Sequence, residues 1–168
     1  QFLLKTANTT MKELRASIYQ LSTVKKGEQP FLVLIENYLA EFEKLNNIGI
    51  VYAITGEEST ISANTKNGLY RIISEACGNS VRHGKCTVIE VILALEEEGT
   101  CLVIKDNGIG MQIQSGSRKE KGIGLSNMQN IVDSLGGSFE IGTPYKIGTT
   151  IQIDIPSVKT QKKQEVFG

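Results

Sequence analysis

The stretch Thr65–Arg82, TKNGLYRIISEACGNSVR, carries the pattern from which the rest of the chain can be interpreted. Its apolar side chains recur at helical spacing and form one stripe, which consists of Leu69, Ile72, Ile73 and Ala76. Glu75, Asn79 and Arg82 are spaced by four and three residues, so a helix places them on a narrow polar stripe beside the apolar one. We therefore predict a helix over residues 65–82, with Asn64 as its N-cap.

The polar stripe has two interpretations. A carboxylate, an amide and a guanidinium on one helix face can bind a metal ion, a polarised water and a phosphate together. Mg²⁺ prefers oxygen ligands and keeps several waters, so one asparagine oxygen and phosphate oxygens are enough to hold it. The same spacing is also typical of an ordinary solvated helix face with one i,i+4 pair, so the stripe alone does not decide between the two.

Strand-like runs lie on both sides of this helix. A short strand is predicted over residues 48–54. Two β-rich runs, Thr87–Leu95 and Thr100–Lys105, follow the helix, and Glu98-Gly99 between them predicts a hairpin turn. Alternating apolar residues predict two half-buried strands near the end of the chain, around Phe139 and Ile141 and around Ile151, Ile153 and Ile155.

Two more helices complete the expected fold. One is predicted over residues 31–45 from its apolar spacing, and another over residues 125–135, where Gly136-Gly137 is a natural C-terminal signal. Helices and antiparallel hairpins in this order predict an α+β fold, a two-layer α/β sandwich with an N-terminal helical segment.

The beginning of the chain has a pattern of its own. Apolar residues follow a heptad seam, at Leu4, Ala7, Met11, Leu14, Ile18 and Leu21. We expect residues 1–24 to be the end of a longer helix that packs along another helix; an amphipathic helix on the domain's own core is the alternative. A glycine and a proline interrupt the pattern, so residues 25–30 are predicted to be a linker, residues 31–156 the main domain and residues 157–168 a mobile tail.

Composition excludes several classes of function. Lys and Arg together number 18, as do Asp and Glu, so the chain lacks the basic excess of a nucleic-acid-binding protein. No apolar run approaches the roughly 18 residues needed to cross a bilayer, and we expect a cytoplasmic location. Cys77, Cys86 and Cys101 form no CxxC pair, so a zinc site is not expected and the cysteines are interpreted as small buried hydrophobic residues.

Two glycine-rich segments carry the chemistry that a nucleotide site needs. Asp106-Asn107-Gly108-Ile109-Gly110 follows a predicted strand; glycine there permits close approach to a flat ligand, and the carboxylate can accept a hydrogen bond from an exocyclic amine. A plain Asp-Asn-Gly turn is the alternative. Gly122-Ile123-Gly124-Leu125 opens the last predicted helix, whose free N–H groups and dipole attract phosphate. Neither a Walker P-loop nor a complete GxGxxG fingerprint is present.

Taken in order, these elements resemble the GHKL ATPases, the superfamily of histidine kinases, DNA gyrase, the Hsp90 chaperones and MutL. Glu75 and Asn79 match the N box, Asp106-x-Gly-x-Gly the G1 box, Gly122-x-Gly-Leu the G2 box, and Gly148-Thr149 the Gly-Thr element before the last strand. The resemblance covers residues from about 31 to 156 and is strongest with bacterial sensor histidine kinases of the nitrate-sensor and desaturase-thermosensor class. It implies the Bergerat fold of these ATPases, with ATP and Mg²⁺ as ligands.

The resemblance also implies a role for each matching residue. Asn79 would bind Mg²⁺, and Glu75 would act as a polarising carboxylate or general base, so these two are the expected catalytic residues. Asp106 would recognise the adenine amine, with the Thr149 hydroxyl supporting it. The other expected ATP-binding residues, which shape the base pocket or contact phosphates, are Gly108, Gly110, Arg82, His83, Lys121, Gly122, Gly124 and Leu125. Residues 111–121 would form an ATP lid, whose basic side chains would either contact phosphates or keep the lid in solution.

The count of histidines bears on the reaction that the resemblance implies. A histidine kinase transfers the γ-phosphate to a histidine of its dimerisation helix, but the one histidine of this chain, His83, lies within the nucleotide-binding motif. We therefore expect a catalytic part whose acceptor histidine lies on a dimerisation domain upstream of Gln1. The expected partners are ATP, this domain within a homodimeric kinase, and a response-regulator protein.

Two other functions stay open from the sequence. A serine kinase of the anti-sigma-factor type shares the glycine boxes but would phosphorylate a serine on a partner. A nucleotide-sensing or purely interacting module would bind ATP without transferring phosphate. The presence of Glu75, Asn79 and Asp106 argues for a competent enzyme.

Overall fold

The computed structural model describes three ranges of the chain, residues 29–110, 123–143 and 147–157. The chain divides into two units between Pro30 and Phe31, and the described elements all belong to the second. The helix expected over residues 1–24, the lid expected over residues 111–121 and nearly all of the expected tail lie outside the described residues. Their boundaries, and those of the linker, stay predictions.

Within these ranges the chain forms three helices, five strands and a short 3₁₀ turn. In chain order they are helix α1 (Phe31–Asn46), strand β1 (Gly49–Gly56), the 3₁₀ turn (Glu58–Thr60), helix α2 (Ala63–Arg82), strands β2 (Val88–Leu95) and β3 (Gly99–Asp106), helix α3 (Ile123–Ser134), and strands β4 (Ser138–Gly142) and β5 (Thr150–Pro156). The strands form one mixed sheet in the order β1-β2-β3-β5-β4. β1 runs parallel to β2, because α2 crosses over between them, and every other neighbouring pair is antiparallel.

The hydrophobic core lies between one face of the sheet and the helices, since α1 contacts β1, α2 contacts β3 and α3 contacts β4. Strands β2, β3 and β5 bury alternate side chains, so the opposite face of the sheet keeps partly exposed residues. The apolar stripe predicted on α2 is buried, and its four members Leu69, Ile72, Ile73 and Ala76 are at most 1% exposed. The expected two-layer α+β fold is thereby confirmed.

The N-terminus of α2 differs from the prediction. The helix begins at Ala63, and its N-cap is Ser62, whose hydroxyl accepts a hydrogen bond from the Thr65 N–H at 3.1 Å. Asn64 lies inside the first turn, so the prediction that it caps the helix is wrong. Both residues have suitable side chains, but only Ser62 has the extended backbone that an N-cap requires.

The hairpin between β2 and β3 turns one residue earlier than predicted. Glu96 and Gly99 pair through both backbone groups, at 2.8 and 3.3 Å, so the two turn residues are Glu97 and Glu98. Gly99 is the first residue of β3, where a Cβ would lie 2.6 Å from the Ile155 carbonyl oxygen. The close approach of β5, and not the turn, therefore requires this glycine.

Helix α3 ends at the predicted glycine pair. Gly136 has a φ of 69°, and its N–H donates to the Asp133 carbonyl at 3.0 Å. The Gly137 N–H donates to the Val132 carbonyl at 3.0 Å, which completes a Schellman motif. None of the helices in the described ranges is long and apolar enough to cross a membrane.

Candidate functional site

The carboxylate of Asp106 joins three parts of the fold at the end of β3. Its Oδ1 accepts hydrogen bonds from the backbone N–H groups of Gly108 at 2.9 Å and Thr149 at 3.1 Å. Its Oδ2 accepts one from the Ser80 hydroxyl at 2.8 Å. The end of β3, the entry to β5 and the last turns of α2 therefore meet at one side chain. Thr149 makes its contact through the backbone N–H and not, as the sequence suggested, through its hydroxyl.

The loop after Asp106 needs glycine for close backbone contact. A Cβ on Gly108 would lie 2.2 Å from the Gly84 carbonyl oxygen, and that oxygen accepts a hydrogen bond from the Ile109 N–H at 2.8 Å. The Gly108 carbonyl accepts a hydrogen bond from the Gly148 N–H at 2.8 Å. The loop is thus held between the chain that follows α2 and the chain that enters β5.

Two further glycines close this corner of the site. Gly110 and Gly148 have φ angles of 73° and 71°, in the left-handed region that favours glycine. A Cβ on Gly110 would lie 2.6 Å from Thr143 Cγ2, and a Cβ on Gly148 would lie 1.9 Å from the Asp106 carbonyl oxygen. A side chain at either position would force the backbone around Asp106 to move.

The polar stripe on α2 forms a connected cluster of three side chains. The Arg82 guanidinium donates a hydrogen bond from Nη2 to Asn79 Oδ1 at 3.0 Å, and Nη2 lies 3.7 Å from Glu75 Oε1. The Glu75 and Arg82 side chains are 20% and 36% exposed, so the cluster faces solvent. The grouping is the one that the helical spacing predicts.

The start of α3 packs against this polar cluster. A Cβ on Gly124 would lie 2.3 Å from Glu75 Oε1 and 3.3 Å from Asn79 Nδ2, so the glycine permits an unusually close approach. The first N–H groups of a helix have no partner within it, and beside the cluster they can bind an anion. Lys121 and Gly122, which the sequence assigns to the same corner, lie outside the described residues.

His83 and Leu125 border the polar cluster. His83 is the C-cap of α2; its backbone N–H donates to the Asn79 carbonyl at 2.8 Å, and the residue is exposed. Leu125 is half-buried in the first turn of α3. The structure therefore brings the predicted residues together as two groups, one around Asp106 and one around Asn79, with α2 between them.

Three residues that hold this arrangement together were not expected from the sequence, namely Ser80, Gly84 and Asn107. The Asn107 Oδ1 accepts hydrogen bonds from the Thr87 and Val88 N–H groups at 2.9 and 3.0 Å. Its Nδ2 donates to Thr87 Oγ1 at 2.9 Å, so Asn107 fixes the loop to the start of β2. Each of the three directly follows a predicted site residue, and this adjacency is the signal that points to them.

The oxygen atoms beside Arg82 fit a metal ion that brings other ligands with it. Within the described ranges, no group of three or more His, Cys, Asp and Glu side chains could hold a metal ion. Glu75 and Asn79 offer a carboxylate and an amide oxygen, which are the hard donors that Mg²⁺ prefers. Such a pair can hold Mg²⁺ when phosphate oxygens and water complete its shell.

Burial keeps the thiols near the site protonated. It raises the pKa of the Cys77 thiol to about 12. Burial also raises the pKa of the Cys86 thiol, and the negative charge of nearby Asp106 adds to this shift. Because metal binding and nucleophilic attack both need the thiolate, neither cysteine suits these roles at neutral pH.

Comparison with known proteins places these features in a family. The family model described as histidine kinase-, DNA gyrase B-, and HSP90-like ATPase matches residues 64–159. One curated relative is the signal transduction histidine-protein kinase/phosphatase DegS of Brevibacillus brevis, 29% identical over 92% of this chain and 39% of the relative. Another is the sensor histidine kinase LiaS of Bacillus subtilis (strain 168), 28% identical over 93% of this chain and 42% of the relative. The chain thus spans about two fifths of the length of these relatives.

A solved structure shares the fold. The histidine kinase domain of the blue-light activated histidine kinase from Erythrobacter litoralis EL346 matches with a TM-score of 0.69 at 16% sequence identity. The match covers 90% of this chain and 76% of that one. The agreement of backbone at so low an identity supports the assignment of the fold.

Proposed function

Because this chain belongs to the family of histidine kinase-, DNA gyrase B-, and HSP90-like ATPases, we propose that it is the ATP-binding catalytic part of a two-component sensor histidine kinase. The names of its relatives support this choice within the family. The observation that carries the proposal is the position of α2: Ser80 binds Asp106, and the adjacent Asn79 faces Gly124 at the start of α3. One helix thereby carries a carboxylate suited to a base and a cluster suited to phosphate.

In this proposal Asp106 accepts a hydrogen bond from the exocyclic amine of adenine. Two backbone N–H groups and the Ser80 hydroxyl fix the carboxylate, so its free lone pair has a set direction. Gly108 and Gly110 leave space for the flat base because they have no side chains. Thr149 contributes through its backbone N–H.

The phosphates of ATP lie, in this proposal, between the polar cluster and the start of α3. Asn79 is the proposed Mg²⁺ ligand and Glu75 the proposed general base. When bound, Mg²⁺ would neutralise charge on the phosphate oxygens. The proposed phosphate-contacting residues are Arg82, His83, Lys121, Gly122, Gly124 and Leu125.

The proposed reaction is transfer of the γ-phosphoryl group to a histidine nitrogen, and then to an aspartate of a response regulator. Its catalysis comes mainly from positioning and charge neutralisation. Arg82 holds a guanidinium beside Asn79 and Glu75, so it can balance negative charge on the transferred group. The acceptor histidine belongs to a separate dimerisation domain of a homodimeric, cytoplasmic kinase, because His83 caps the helix that carries the proposed site. A serine kinase is not favoured, since the relatives are named histidine kinases.

Calorimetric titration of the chain with ATP tests the nucleotide site. We expect Mg²⁺-dependent binding that Asp106→Asn weakens by at least about tenfold, because an amide replaces the fully ionised acceptor. Asp133→Asn is the matched control, since Asp133 is exposed on α3 and bonds only to Gln129 through its side chain within the described residues. Absence of ATP binding, or equal affinity in Asp106→Asn, would overturn the proposal.

Transfer of labelled phosphate from ATP to a separately supplied histidine-bearing helical domain tests the reaction. We expect the domain to acquire a label that acid removes, because phosphohistidine is hydrolysed in acid whereas phosphoserine survives. An acid-stable label would indicate a serine kinase instead. ATP binding without any label would indicate a binding module, and either result would contradict the histidine kinase assignment.

A further inference from the structure

We propose that Ser80 is a positioning residue that sets the preference of the site for a 6-amino purine. The inference rests on the proposed function, because it concerns the carboxylate assigned to the base. Its starting point is the hydrogen bond from Ser80 Oγ to Asp106 Oδ2 at 2.8 Å, which joins residues 26 positions apart in the chain. Ser80 matches none of the motif positions and has its role only through this contact.

The carboxylate of Asp106 has few directions left in which to accept a hydrogen bond. Its two oxygens offer about four lone-pair sites. The N–H groups of Gly108 and Thr149 use those of Oδ1, and Ser80 uses one of Oδ2. The Ser80 hydroxyl therefore decides which site on Oδ2 stays open for a ligand.

The location of Ser80 does not depend on its hydroxyl. Its backbone carbonyl accepts the Cys86 N–H at 3.2 Å, and a Cβ on Gly84 would lie 2.6 Å from the same oxygen. Ser80 is 7% exposed within the regular helix α2. Removal of the Oγ atom thus removes the hydrogen bond to Asp106 while the backbone contacts around it stay in place.

A fixed acceptor distinguishes purines by the group at C6. A 6-amino purine donates a hydrogen bond to the open site on Oδ2, whereas a 6-oxo purine presents a second acceptor there and is repelled. Without the Ser80 hydroxyl, Asp106 is held only through Oδ1, and both sites on Oδ2 are open to water. The amino purine then loses a defined partner, while the oxo purine, which had none, loses nothing.

Affinities for ATP and for inosine triphosphate, measured by calorimetry with Mg²⁺, test this inference. For Ser80→Ala we expect about tenfold weaker ATP binding, and inosine triphosphate binding within about twofold of the unchanged chain. Ser80→Cys fills a similar space with a weak donor and should lose the same preference. Ser74→Ala is the matched control, because Ser74 lies on the same helix, donates to the Arg71 carbonyl at 3.1 Å and should change neither affinity.

An equal loss of affinity for both nucleotides would assign Ser80 a purely structural role and overturn the inference. An ATP preference unchanged in Ser80→Ala or Ser80→Cys would do the same and would leave the proposed function standing, since the chain would still bind ATP. If the unchanged chain binds neither nucleotide, the proposed function fails, and the role of Ser80 fails with it.

Discussion

Arg82 Nη2 lies 3.0 Å from Asn79 Oδ1, so the amide oxygen proposed to bind Mg²⁺ already accepts a hydrogen bond from a cation. The same Nη2 lies 3.7 Å from Glu75 Oε1. A metal ion and a guanidinium repel each other at one acceptor, so Arg82 must turn to another anion when Mg²⁺ binds. In the proposed site the phosphates of the nucleotide supply that anion.

Replacing this guanidinium should weaken nucleotide binding more than it weakens the fold. For Arg82→Gln we expect about tenfold lower ATP affinity, because a charge-assisted contact to phosphate is lost. The free energy of unfolding should change by less than about 1 kcal/mol, since the ion pair is partly exposed. Calorimetry and urea unfolding measure the two quantities. Lys105→Gln, which removes a surface ion pair with Glu90 at 3.3 Å, should leave ATP affinity unchanged; undiminished affinity in Arg82→Gln would contradict the prediction.

The contact between Gly124 and Glu75 predicts a variant in which stability and binding separate. A Cβ on Gly124 would lie 2.3 Å from Glu75 Oε1, which is the end of a flexible side chain and can move away. Gly124→Ala should therefore displace Glu75 and lower ATP affinity by about tenfold, since small misplacements at a site have large effects. The free energy of unfolding should stay equal or rise by up to about 1 kcal/mol, because alanine favours a helix.

Thermal unfolding and calorimetry of Gly124→Ala check both expectations. Gly142→Ala is the control, because no heavy atom lies within 4 Å of a Cβ added there, and its ATP affinity should match the unchanged chain. A Gly124→Ala chain that is less stable but binds ATP normally would show the opposite of the expected separation.

Glu58 stabilises the start of α1 in a pH-dependent way. Partial burial acts to raise the pKa of Glu58, but hydrogen bonds from the Leu32 N–H at 3.1 Å and Lys66 Nζ at 3.1 Å outweigh it, and the pKa lies below its ordinary value of 4.5. A carboxyl that is more acidic when folded stabilises the folded state at pH values above 4.5. This contribution is lost as the pH falls through the lowered pKa.

Glu58→Gln should therefore lower the free energy of unfolding by about 1 kcal/mol at pH 7, as the loss of a capping group does. The difference from the unchanged chain should shrink towards zero in urea unfolding at a pH of about 3, where both carry a neutral group. Glu57→Gln, at an exposed position next to it, should have no effect at either pH. A difference that grows on acidification would refute the assignment.

Cys77 should react with alkylating reagents only after the chain unfolds. Its thiol is fully buried, and burial raises its pKa to about 12, so thiolate is scarce at pH 8. Cys101 is only half-buried and should be modified first. Mass spectrometry after iodoacetamide treatment, with and without urea, measures the order of modification. Modification of Cys77 in the native chain as fast as Cys101 would show that the core around α2 opens locally.

The sequence predicts those parts of the fold that follow a fixed period. The apolar stripe of α2 and the alternation in β5 are predictable, because a helix and a half-buried strand each repeat the residues that face the core. The N-cap of α2 is not, since Ser62 and Asn64 both have capping side chains and the backbone before the helix decides between them. The parallel pairing of β1 with β2 is also missed, because it depends on how α2 crosses the sheet and not on any local pattern.

The same distinction applies to the candidate site. The cluster of Glu75, Asn79 and Arg82 is predictable from spacing alone, because all three residues lie on one helix. The contacts of Asp106 with Ser80 and Thr149 span 26 and 43 residues and depend on the tertiary arrangement. One of these contacts uses a backbone N–H, which any residue type supplies, so no side chain marks it in the sequence.

Helix α2 also gives the proposed site a mechanical property. It runs without interruption from Ala63 to Arg82, and its C-terminal part holds both the partner of Asp106 and the cluster around Asn79. Both ends of a nucleotide would then be gripped from one stiff rod, and a torque that tilts the rod would loosen both grips together. Retention of the nucleotide would therefore act as a gauge of the angle of a single helix.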